Sequence, residues 1–79
     1  MLEVQRRAVA ALLDVAAAHP DGTVVAVSHG DVIRAVLLFM LGMPIDFYHR
    51  LEVSPARISV ITLEERGPTV LQVNGDSVI

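Results

Sequence analysis

Within four consecutive positions, Ser28-His29-Gly30-Asp31, this chain carries a hydroxyl, an imidazole and a carboxylate around a glycine. An imidazole changes charge between about pH 5 and 8, so His29 can donate hydrogen bonds to an anion or carry a proton near neutrality. Gly30 has no Cβ, which lets the backbone approach an anion closely. Ser28 is a poor candidate nucleophile. A G-x-S-x-G elbow is missing, since Ala26 and His29-Gly30 occupy the positions around it. Asp31 is an awkward neighbour for an anion, but it suits the N-terminus of a helix, by capping it or by matching its dipole. Spacing alone leaves a plainer alternative open, in which His29 is a satisfied core histidine and Gly30 a tight turn.

The surrounding elements decide what the block can do. Residues 23–28, Thr-Val-Val-Ala-Val-Ser, are β-branched and apolar on both alternating faces. A strand with one wet face alternates with polar residues; this one does not, so it reads as an interior parallel strand covered on both sides. Residues 31–41 follow as a helix with Arg34 its only polar interior residue, so the helix is expected to be nearly buried. Gly42 and Pro44 end it. The block therefore joins the carboxyl end of a strand to a helix N-terminus. Ligands bind at strand carboxyl ends in open α/β sheets, and a helix N-terminus presents unpaired N–H groups to anions.

Upstream, residues 2–19 are rich in Ala and Leu with no Gly or Pro, and read as a helix that stops at the Pro20-Asp21-Gly22 turn. Downstream, residues 45–49 read as one more helical turn. Residues 57–63 and 69–73 read as two strands of a hairpin. The order is α-β-α-β-β. An interior parallel strand needs a parallel neighbour, which must come from sequence upstream of Met1 or from another copy of the chain.

The remaining polar residues point to less. His19 lies at a helix end, where a cation suits the dipole. His49 reads as a surface residue, Arg6 and Arg7 as solvated, and Phe47 and Tyr48 as packing residues. Arg34 should pair with a carboxylate or extend its head to solvent. The three histidines lack i, i+3 or i+4 spacing and no H-E-x-x-H occurs, so no metal is expected; no other cofactor is expected either.

Composition narrows the classes further. The chain has 79 residues, a net charge of −3, six arginines and no lysine or cysteine. No basic stripe exists, so nucleic acid is excluded as a partner. Disulfides cannot staple the fold. No apolar run approaches the roughly 20 residues that a bilayer demands, and the start lacks the order of a signal peptide, so a cytoplasmic setting is expected. Mean hydropathy is +0.57 and 53% of the residues are apolar. A chain this short buries only about 60–65% of its unfolded surface, so the apolar excess implies a homo-oligomer or a piece of a larger domain.

The segment from Val25 to Leu37, Val-Ala-Val-Ser-His-Gly-Asp-Val-Ile-Arg-Ala-Val-Leu, resembles the second conserved block of the histidine phosphatase superfamily, which includes the phosphoglycerate mutases. The similarity extends to Leu2-Glu3-Val4-Gln5-Arg6-Arg7, to Leu41-Gly42-Met43-Pro44, to residues 47–50, to Ser54-Pro55-Ala56 and to Leu71-Gln72-Val73-Asn74. It covers nearly the whole chain. The resemblance implies a three-layer α/β/α phosphoglycerate mutase-like fold, with residues 1–79 as its C-terminal segment, one interior parallel strand and a terminal hairpin. It also implies phosphomonoester hydrolysis or phosphoryl transfer through a phosphohistidine, on a phosphorylated small molecule and without a metal. His29 then corresponds to the second, phosphate-stabilising histidine, and the Gly30 backbone lines the phosphate pocket. The family's attacking histidine sits in an Arg-His-Gly block, and no such block occurs in these 79 residues. The family's pocket arginines and acid normally lie upstream of the first helix. The expectation is therefore a domain without its N-terminal half, inactive by itself. The competing expectation is a non-catalytic remnant or self-associating module with at most weak anion binding.

Overall fold

The computed structural model describes residues 1–64 and 66–77. Helix α1 spans Leu2–Ala18 and helix α2 spans Gly30–Leu41. A 3-10 helix covers Ile45–Arg50, followed by strands β1 (Ile58–Glu64) and β2 (Gly67–Gly75).

Each boundary has a local cause. The α1 run ends where Pro20 removes a backbone donor; His19 N–H bonds to Ala16 and Gly22 N–H to the His19 carbonyl, closing the turn. At the end of α2, Gly42 adopts φ 72, the left-handed conformation that glycine takes without a Cβ penalty. Met43 N–H then reaches back to the Leu38 carbonyl at 2.9 Å, a Schellman closure, and Pro44 prevents continuation.

The core lies between the helices and one face of the hairpin. Val9, Val36 and Met40 form its centre, with Ala8, Leu12, Ile61 and Val70 packed around them. Ala35, Leu37 and Leu38 are buried beside them, Leu38 completely. Gln5 is buried too, and its Nε2 donates to the Ala35 carbonyl at 2.7 Å, tethering α1 to α2. Such a bond contributes about 1 kcal/mol net and fixes how the helices dock. The expectation that α2 is nearly buried holds for one face; Phe39 and Leu41 at its end stay exposed.

Strands β1 and β2 pair antiparallel, from Glu64↔Gly67 at the turn to Ile58↔Gly75 at the open end. Two register shifts interrupt the ladder, each leaving an extra residue on β2. The second falls around Asn74, which has φ 57. Bulges of this kind bend a strand and re-aim a side chain.

Residues 23–28 differ from the interior strand expected of them. They form no strand, and the sheet consists of β1 and β2 alone among the described residues. Val25 is 85% exposed and Val27 94%. The reason is that the hairpin strands satisfy each other and pack on α2, which leaves no neighbour to form a ladder with this segment. Apolar patterning records that a segment is built for burial, and burial needs a partner.

Candidate functional site

Residues 23–28 run straight into α2, and the junction is the Ser28-His29-Gly30 step. His29 is the N-cap residue, with extended backbone (φ −85, ψ 153). Its carbonyl accepts the Ile33 N–H at 3.0 Å, the first bond of the helix. The earlier N–H groups of the first turn, those of Gly30, Asp31 and Val32, have no intrahelical acceptor. The His29 side chain makes no capping bond and is exposed, as is Ser28. An imidazole thus stands beside the donor-rich, partly positive end of a helix. The core-histidine alternative does not fit this placement, because His29 lies outside the core.

Gly30 is half-buried, and a Cβ built on it would stand 3.4 Å from the Val53 carbonyl oxygen. The loop after the 3-10 helix therefore lies against the helix start. That loop is held from a distance. The Asn74 Oδ1 accepts the Ser54 N–H at 2.7 Å, and its Nδ2 donates to Ser54 Oγ at 3.4 Å. Asn74 N–H, freed by the bulge, donates to Ser59 Oγ at 3.1 Å. The sequence signals near this arrangement are the Asn74-Gly75 turn dipeptide and the resemblances at Ser54-Pro55-Ala56 and at the closing strand; none of them reveals a bond between residues 20 positions apart.

Asp31 is exposed in the first turn of α2, matching the helix dipole without a side-chain cap bond. Its carboxylate faces Tyr48. Hydrogen bonding to Asp31, then partial desolvation and the Asp31 charge, hold the Tyr48 phenol above its ordinary 10.0, while Arg34 pulls the other way. The Arg34 guanidinium carbon lies 4.7 Å from the centre of the Tyr48 ring, a cation–π stack where a carboxylate pair or extension into solvent was expected. The Arg34 Nε is buried and has no hydrogen-bond partner among the described residues. Phe47 is half-buried beneath the Arg50 guanidinium at 4.3 Å.

The other sequence candidates stay apart from this step. His19 is the exposed C-cap of α1, His49 is exposed beside Tyr48, and Arg6 pairs with Glu3 at 2.5 Å in solvent. An apolar depression lined by Leu2, Val9, Leu13 and Phe39 lies between the helices. Its one cation, Arg6, is held by Glu3, so it offers an anion little. Among the described residues no helix is long and apolar enough to cross a membrane.

A comparison with curated proteins finds no match. A solved structure of a mutant phosphoserine phosphatase from Entamoeba histolytica, in complex with phosphoserine, superposes with a TM-score of 0.84 at 25% sequence identity. The match covers 92% of this chain and 37% of that one, so this chain spans little more than a third of that phosphatase. The helices and hairpin are thus arranged as in part of a phosphoglycerate mutase-like fold. Residues 1–76 match the model of the histidine phosphatase superfamily (branch 1), and the chain belongs to that family.

Proposed function

We propose that this chain contributes the second, phosphate-stabilising histidine of a phosphohistidine-dependent phosphatase or phosphomutase site, and that His29 is that residue. The observation that carries the proposal is the position of His29: an exposed imidazole at the N-cap of α2, beside first-turn N–H groups that have no intrahelical acceptor, in a chain of the histidine phosphatase family. In such a reaction an imidazole nitrogen bonds to phosphorus as the ester P–O bond breaks. The leaving oxygen takes a proton, and water then cleaves the P–N bond. His29 and the Gly30 backbone neutralise charge on the equatorial oxygens, which is the main demand of phosphoryl transfer. The attacking histidine lies outside these residues, since they contain no Arg-His-Gly block. The substrate class is a phosphorylated small molecule, in a cytoplasmic setting, and no metal takes part. Alone, the chain binds phosphate weakly and does not turn over.

The test combines two measurements on the purified chain and its His29→Ala variant. Neither should hydrolyse para-nitrophenyl phosphate. Inorganic phosphate should shift the Gly30 and Asp31 amide signals of the wild type in an NMR titration. His29→Ala should weaken that binding by about ten-fold or more, the worth of a hydrogen bond to a charged group. Turnover by the wild type that His29→Ala abolishes would make His29 the attacking residue instead. Phosphate shifts indifferent to the substitution would remove His29 from the site.

A second reading, self-association without catalysis, is favoured by the exposed Val25 and Val27 of the unpaired segment. Uncovered apolar surface of this kind drives association. A monomer by size-exclusion chromatography with light scattering, at all concentrations up to the millimolar range, would count against it.

A further inference from the structure

We propose that Asn74 is a positioning residue for the His29–Gly30 step, acting through the loop of residues 51–57; the inference rests on the reading of His29 above. Asn74 occupies the left-handed region at φ 57, and Ala56 in the loop does so at φ 60. Residues with a Cβ take that region at a steric cost, and they persist there only where the surroundings dictate it. Asparagine is among the side chains that tolerate it best. Here the two unusual residues lie on either side of one contact. A bulge in β2 re-aims Asn74, and its carboxamide both accepts from and donates to Ser54. The neighbouring Val53 carbonyl oxygen lies 3.4 Å from where a Cβ on Gly30 would stand, so the loop packs against the first residue of α2. The path runs from the end of β2 through Ser54 and Val53 to the first residue of α2. It sets where the N-cap His29 and the first-turn N–H groups stand relative to the hairpin.

A loop anchor with no bearing on the site would account for the bonds to Ser54, but it would leave the signals of Gly30 and His29 unmoved when the anchor is cut. The experiment therefore reads those signals. Three variants of the full chain are compared by amide and imidazole NMR, with inorganic phosphate as the probe. Asn74→Gly keeps the left-handed backbone and removes the carboxamide. Asn74→Asp keeps an acceptor for the Ser54 N–H. Ser59→Ala cuts only the bond to the Asn74 N–H and controls for general loosening of the hairpin. In Asn74→Gly the Ser54 amide should exchange about five- to ten-fold faster, the worth of one neutral hydrogen bond. The Gly30 and His29 resonances should shift, and phosphate should bind several-fold more weakly. Asn74→Asp should restore the Ser54 protection and the Gly30 position, and Ser59→Ala should leave both in place. Unchanged Gly30 and His29 resonances in a folded Asn74→Gly variant would overturn the proposal, as would equal displacement by Ser59→Ala. Should the wild type itself ignore phosphate, the anion-site reading fails, while the Ser54 and Gly30 signals still decide the role of Asn74.

Discussion

Val27→Asp separates what residues 23–28 are built for from what they do in this chain. Full burial of a valine side chain is worth about 1.5–3 kcal/mol. Val27 is 94% exposed, so roughly 0.1–0.2 kcal/mol of that is at stake here. The segment forms no ladder, so loss of strand propensity costs nothing further, and the new carboxylate stays in water. An interior strand position would respond very differently. It would lose the whole burial term and bury a charge, a penalty of several kcal/mol, comparable to the total stability of a small domain. The assay is urea unfolding followed by circular dichroism at 222 nm. With a denaturant slope of about 1 kcal/mol/M, the midpoint should move by no more than about 0.3 M. A fall of more than about 2 M, or loss of the folded baseline, would refute the unpaired placement and show that the segment is covered in solution.

Two further outcomes follow from the core and from the helix start. Leu38→Ala removes a completely buried side chain and should cost about 2–5 kcal/mol, so the same urea experiment should show little or no folded baseline; a midpoint within 0.5 M (about a tenth to a quarter of that cost at the usual slope) would show that α2 is not the centre of the core. Tyr48 is the only tyrosine, so absorbance at 295 nm against pH reports it alone. The midpoint should lie above 10.0 and fall in Asp31→Ala, because Asp31 is the main cause of the shift. The sign for stability follows: a folded value raised above the unfolded one leaves stability constant below pH 10.0 and erodes it as pH rises through the folded value. An Asp31→Ala titration that overlays the wild type would remove the Asp31–Tyr48 contact from the site.

Local sequence determined the helices and where they stop, while β2 runs two residues further at each end than the 69–73 expected of it, because pairing with β1 carries the ladder through Gly67-Pro68 and Asn74-Gly75. The Ala- and Leu-rich stretch closed by Pro20, the Gly42–Pro44 stop, and the turn between β1 and β2 are all contiguous, so propensity and capping chemistry are readable from neighbouring letters. The same holds for the strand-like run into His29-Gly30 and for the family to which the chain belongs. Tertiary structure alone decided the rest. Residues 23–28 carry every mark of an interior strand, but a ladder requires a second strand, and β1 and β2 pair with each other alone among the described residues. Arg34 stacks on Tyr48 because the 3-10 helix docks beside α2. Gln5 finds a buried carbonyl 30 positions away, and Asn74 finds Ser54 20 positions away. Such pairings depend on where elements dock and on a bulge that re-aims one side chain. No short-range pattern records either.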